Sequence, residues 1–164
     1  MTNFAKMWLA APDEIKAGFE PDDRQEWVCP ECLKVYRRCE DCEFEGILWP
    51  YCEHYDERGI VRTEYALKPI PRLDQLLGMV KSKEWGLGPI DTEYAFSLDW
   101  TLSPSIFHAP TYEEAVLKGI AWEHGYKWTG EKFIPGCTAG HLLKRIRPID
   151  DEEVHEFVLD LEKR

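Results

Sequence analysis

The sequence predicts an α+β fold: a small cysteine-held module, then a compact α-β-β-α unit and a C-terminal helix. Three observations carry this. Five of the six cysteines fall between Cys29 and Cys52, with His54 just beyond. Leucines recur at helical spacing in 71–82, and a strict two-residue alternation follows in 93–102. Hydrophobic residues make up 44% of the 164-residue chain, enough to bury a core, and composition divides it into 1–26, 27–62, 69–135 and 136–164.

Each element has a local reason. In 1–26, PDEIKAGF opens on Pro12, which suits a first helical turn. In PRLDQLLGMVKS, Leu73, Leu76, Leu77 and Val80 share one helical face, with Pro71 where the first turn begins. The Gly- and Pro-containing WGLGPID that follows predicts a loop. EYAFSLDWTL then points Tyr94, Phe96, Leu98, Trp100 and Leu102 to one side and Ala95, Ser97, Asp99 and Thr101 to the other, a strand buried on one face. Ser103-Pro104-Ser105 supplies a turn and IFHA a partner strand. Thr111 and Glu114 have capping-box spacing, and the helix they open runs to His124 with Gly125 as its stop. YKW and KFI flank Thr129-Gly130-Glu131 as a small hairpin. In the tail, Val154, Phe157, Val158 and Leu161 predict a last helix.

The cysteines carry the chemistry. Cys29-x2-Cys32 and Cys39-x2-Cys42 are two CxxC turns separated by six residues, with Cys52 and His54 nine residues further on. A CxxC turn aims two thiolates at one ion, and two such turns complete the tetrahedron that zinc accepts. Cys29, Cys32, Cys39 and Cys42 are therefore the first choice of Zn2+ ligands, with Cys52 and His54 in reserve. The short gap between the pairs leaves room for a rearranged site that uses Cys52 or His54, or for a binuclear cluster using all six groups. Zinc contributes on the order of 10 kcal/mol to folding in such zinc-knuckle modules.

Charge bounds the partners. Thirty-one acidic against twenty basic side chains give a net charge of −11, which repels nucleic-acid backbones and favours a protein partner with a basic surface. Lys34, Arg37 and Arg38 between the CxxC pairs, and Lys144, Arg145 and Arg147 in the tail, are the side chains that would meet a phosphate or a partner. No apolar run reaches the roughly 20 residues that span a bilayer, so no membrane partner is expected. Lys6 interrupts the N-terminal apolar patch, and the chain reads as cytoplasmic, where cysteines serve metal rather than disulfides. His108, His124, His141, His155 and Cys137 read as capping, core or surface residues. No H-E-x-x-H, Gly-rich phosphate loop or nucleophile elbow occurs.

Several resemblances follow from these residues. Trp27-x-Cys29-x2-Cys32 is similar to the start of a Ran-binding-type zinc finger, but the central gap is shorter and that family's Asn is missing. WVCPEC resembles a rubredoxin knuckle, with the second knuckle too close for that fold. CPEC resembles the CPxC of glutaredoxins without the strand that precedes it there. The stretch 69–133, through PIPRLDQLLGMV and TYEEAVLKGIAWEHGYKWTGEKF, resembles small uncharacterised phage and prophage proteins, which implies a small α/β fold and a viral or mobile-element origin but no assigned activity or catalytic residue. The expected function is a non-catalytic, zinc-stabilised acidic protein that docks on a host protein, such as a nucleic-acid-binding enzyme. A nucleic-acid-binding zinc finger and a metal-dependent enzyme acting on a nucleotide or nucleic acid are the alternatives.

Overall fold

The computed structural model describes residues 3–37, 51–98 and 105–136. Helices α1 (Asn3–Leu9) and α2 (Asp13–Lys16) are followed by short strands β1 (Glu26–Val28) and β2 (Val35–Arg37). A hairpin, β3 (Tyr51–Tyr55) and β4 (Val61–Ala66), leads into β5 (Lys68–Ile70) and helix α3 (Leu73–Met79). Strands β6 (Trp85–Ile90), β7 (Glu93–Leu98) and β8 (Ser105–Ala109) precede helix α4 (Tyr112–Glu123), and β9 (Tyr126–Trp128) and β10 (Phe133–Pro135) close the described chain. Helices thus combine with small antiparallel sheets, ordered β2-β1-β5, β3-β4, β6-β7-β8 and β9-β10, an α+β architecture.

Helix α4 is the axis of the main core. Val116, Leu117, Ile120 and Ala121 are fully buried, against Phe96 and Leu98 of β7 and Met7 and Trp8 of α1. Burying a Val, Leu or Ile side chain contributes about 1.5–3 kcal/mol, so these residues rather than helix propensity fix α4. Thr111 caps it, its hydroxyl accepting from the Glu114 N–H at 3.3 Å, and Gly125 past its end takes φ +88°. The expected return bond from the Glu114 side chain gives way to another: the carboxylate is buried and accepts from the Phe4 backbone N–H. An N–H in the first turn of α1 has no partner within its own helix, and Glu114 supplies one.

The expected loop at WGLGPID is instead strand β6, paired along its length with β7. Gly and Pro mislead there because β6 lies at the edge of its sheet, where Pro89 removes a donor without breaking an inner ladder. Gly86 also faces the Ser97 hydroxyl, which a Cβ at that position would approach to 2.9 Å. The helix expected from 71–82 is α3, which starts at Leu73 behind an Arg72 cap rather than at Pro71, with the Gln75 side chain accepting from the Arg72 N–H at 2.9 Å. The outer half of the alternating stretch, 99–102, and the expected C-terminal helix lie outside the described residues.

The N-terminal segment is part of the same core. Phe4, Met7, Trp8, Ala11 and Ile15 join Val28, Ile70 and the α4 side chains in one cluster. The Trp8 indole donates to the Pro69 carbonyl at 3.0 Å, and the Gln25 amide donates to the Ile70 carbonyl. Strand β1 stands between two cores. Val28 belongs to the main cluster, while Cys29, next in sequence, packs with Cys52 and Leu67 in a second, smaller one. That junction ties the cysteine-bearing strands to the α/β body. Among the described residues no helix is long and apolar enough to cross a membrane.

Candidate metal centre

Two backbone devices bring the chemistry together. The first is the turn between β1 and β2, which carries Cys29 and Cys32. The Cys29 N–H donates to the Lys34 carbonyl and the Leu33 N–H to the Cys29 carbonyl, each at 3.0 Å. Leu33 closes this turn at φ +58°, a left-handed conformation more usual for glycine. The second is β3, where Cys52 and His54 are two residues apart and therefore share a face of the strand. Their partners across the hairpin are Tyr65 and Thr63, and a register irregularity follows between His54 and Tyr55.

The turn and the strand face converge. The ligand atoms of Cys29, Cys32, Cys52 and His54 all lie within 4.8 Å of one another, a group that can hold a metal ion. Cys29 Sγ is 3.4 Å from His54 Nε2, and Cys32 Sγ is 3.8 Å from Cys52 Sγ. All three cysteines are free thiols; Cys29 and Cys52 are buried and Cys32 is exposed. The His54 ring packs on Tyr65, centroids 4.8 Å apart, which restrains the imidazole.

Neighbouring groups already support negative charge on sulfur. Tyr36 places its phenol oxygen 2.9 Å from Cys52 Sγ. That contact, together with burial, pushes the Tyr36 hydroxyl well above the ordinary phenol range, so it stays protonated and able to donate. At Cys32, burial raises the thiol, but the Lys34 backbone N–H and the sulfurs of Cys29 and Cys52 outweigh it and bring the group below the ordinary thiol value. At Cys52, burial dominates and the thiol is raised despite the Tyr36 bond. A group of three sulfurs cannot all ionise easily without a cation among them.

Of the first-choice ligands, Cys29 and Cys32 are in this group, joined by both reserve ligands, Cys52 and His54. Cys39 and Cys42 lie outside the described residues. Lys34 places its ammonium 5.3 Å from the Tyr36 ring centroid, and Arg37 sits at the end of β2. Arg38, Lys144, Arg145, Arg147, Cys137, His141 and His155 lie outside the described residues, while His108 is exposed on β8 and His124 caps α4. Tyr36 and Leu33 join the site without being ligands. Tyr36 had one usable signal, its place in an apolar-polar strand directly after the CxxC turn; Leu33 had none.

A separate concavity of about 580 Å³ opens between β8, α4 and β9, lined by Phe107, Lys118, Trp122, Tyr126, Lys127 and Trp128 and by the turn at Thr129. Among the described residues its lining holds Lys118, Tyr126 and Lys127 as titratable groups, and no Cys, His, Asp or Glu. Comparison with protein-family models, curated proteins and solved structures finds no match for the chain.

Proposed function

We propose that the chain is a non-catalytic, zinc-stabilised protein whose Cys29, Cys32, Cys52 and His54 hold one structural ion and whose acidic surface docks on a basic protein partner. The convergence of four ligand atoms within 4.8 Å carries the metal part of this reading. A tetrahedral zinc site has metal–sulfur distances of about 2.3 Å and metal–nitrogen distances of about 2.0–2.1 Å, which space neighbouring sulfurs about 3.8 Å apart and sulfur from nitrogen about 3.6 Å. The separations of 3.8 Å for Cys32–Cys52 and 3.4 Å for Cys29–His54 fit those edges. The Lys34 N–H and the Tyr36 phenol support two of the sulfurs from outside, as surrounding hydrogen bonds do in metal sites.

A structural role follows from the donor count. Three thiolates and an imidazole fill four positions, so water and substrate have no open one, which a catalytic zinc needs. The bound ion would supply a cross-link between the β1–β2 turn and the β3–β4 hairpin, where the described apolar cluster has Cys29, Cys52 and Leu67 as its buried members. The net charge of −11 supports the partner class, since an acidic field steers toward basic surfaces and away from nucleic-acid backbones.

Cobalt(II) substitution tests the closed site. The expected spectrum is that of a tetrahedral centre with three thiolates and one nitrogen, unchanged by added azide. A spectrum that shifts with azide reveals an open position and supports the enzyme reading. For the docking role, affinity for a basic partner should fall with salt and should also fall when the ion is removed by a chelator; equal binding by the metal-free chain contradicts it.

A further inference from the structure

The four ligands differ in access, and that difference has a chemical consequence. Cys32 is exposed, whereas Cys29 and Cys52 are buried. An oxidant arriving from solvent therefore meets Cys32 first, and the Cys52 sulfur stands 3.8 Å from it. The two residues are 20 apart in sequence and belong to different backbone units, the β1–β2 turn and β3. Cys29 is fully buried, with its sulfur 3.4 Å from His54 Nε2.

We propose that the metal centre is a peroxide-responsive switch, in which hydrogen peroxide converts Cys32 and Cys52 to a disulfide and the ion is released. This rests on the metal reading above. In the first step the Cys32 thiolate attacks one peroxide oxygen, the O–O bond breaks, and Cys32 becomes a sulfenic acid while the departing oxygen leaves as water after taking up a proton. In the second, the Cys52 thiolate attacks the Cys32 sulfur, the S–O bond breaks, and hydroxide leaves and is protonated to water. Two thiolates lose two electrons in all, and one peroxide gains them with two protons to give two waters. Among the described members of the group, Cys29 and His54 then remain as donors, too few to retain a tetrahedral ion. The new bond links the same two backbone units that the ion had joined, so the cross-link survives while the metal leaves. Reduction by a dithiol restores both thiolates and the site.

The test uses the full chain loaded with zinc and treated with hydrogen peroxide. Metal release is followed with a chromogenic zinc indicator, and disulfides are mapped by non-reducing proteolysis and mass spectrometry. A variant with Cys39, Cys42 and Cys137 changed to Ser is run beside the unmodified chain to remove competing thiols. The expected result is a Cys32–Cys52 peptide that accumulates in step with released zinc and disappears, with zinc rebinding, on adding dithiothreitol. Zinc release accompanied by a Cys29–Cys32 disulfide, by sulfonic acids alone, or by no change in the cysteines overturns the switch and leaves the metal site standing. A chain that takes up no zinc overturns both.

Discussion

The phenol of Tyr36 lies 2.9 Å from the sulfur of Cys52 and joins two strands that share no ladder, β2 and β3. Tyr36 follows the turn that bears Cys29 and Cys32, so one hydroxyl couples the two halves of the ligand group. Tyr36→Phe keeps the ring and removes only that donor. Loss of such a supporting hydrogen bond lowers metal affinity by about 10- to 100-fold. Competition with a chelator of known affinity should show a drop in that range, and the melting temperature at fixed free zinc should fall with it.

Leu33 sets the turn itself, at φ +58°. A left-handed conformation costs an L-residue about 1–2 kcal/mol, and a β-branched side chain suffers more than Leu. Leu33→Val should therefore weaken metal retention, whereas Leu33→Gly should equal or exceed the parent. Chelator competition on both variants checks the order; Val retaining metal better than Gly would contradict the turn.

Packing around α4 gives a prediction of opposite sign to helix propensity. Gly→Ala in a helix interior ordinarily gains about 1 kcal/mol. At Gly119, however, an added Cβ would lie 2.4 Å from the ring of Phe96, which is itself fully buried and has no room to retreat. Overpacking of this kind costs about 1–3 kcal/mol. Gly119→Ala should lower the melting temperature by several degrees, and a rise would show that the β7–α4 interface is looser than described.

Two carboxylates give opposite pH dependences. Burial pushes the Glu114 carboxyl up, against the pull of Lys118 and the Phe4 N–H. The folded chain therefore takes up that proton before the unfolded one, and ionised Glu114 is a cost that is complete above its raised value and fades as pH falls toward the ordinary carboxylate range. Glu114→Gln should be at least as stable as the parent at pH 7, with the difference shrinking on acidification. Asp22 behaves the other way. Two bonds of 2.7 Å from the Arg72 guanidinium hold its carboxyl low, so its contribution is present above the ordinary value and is lost as pH falls through the lowered one. Asp22→Asn should be less stable than the parent at pH 7 and equal to it in strong acid. Melting curves of both variants across pH, compared with the parent, measure the two slopes.

Glu123 has a structural task of its own. Its two carboxylate oxygens accept from the backbone N–H groups of Lys81 and Ser82, at 2.9 and 2.8 Å, and so tie the chain between α3 and β6 to the end of α4. Glu123→Ala leaves both donors without that acceptor, at about 1–3 kcal/mol for each that stays dry. Amide exchange at 81 and 82 should accelerate in that variant before exchange in β7 does.

How much of this was legible follows from the physics of each element. Strand β7 was readable because a buried face leaves its period in the sequence, Phe96 and Leu98 on one side, and helix α4 because Thr111 and Gly125 mark its two ends. Strand β6 was not, since Gly86, Gly88 and Pro89 are tolerated by edge position and by a close neighbour, neither of which is local information. Glu114 had the spacing of a cap, but tertiary packing gave its side chain to α1. The site was half legible. A CxxC turn announces itself, whereas the pairing of Cys52 and His54 with it depends on β3 folding back across the β1–β2 turn. The alternation Cys52-x-His54 was the one local signal for that face.

Metal content per chain tests the central claim most directly, measured by elemental analysis of the parent and of Cys52→Ser, His54→Ala, Cys39→Ser and Cys42→Ser. One zinc should be present in the parent, be lost or greatly weakened in Cys52→Ser and His54→Ala, and persist in Cys39→Ser and Cys42→Ser. Zinc retained at full affinity in Cys52→Ser, zinc lost with Cys39→Ser, or no metal in the parent would each contradict a site made by Cys29, Cys32, Cys52 and His54.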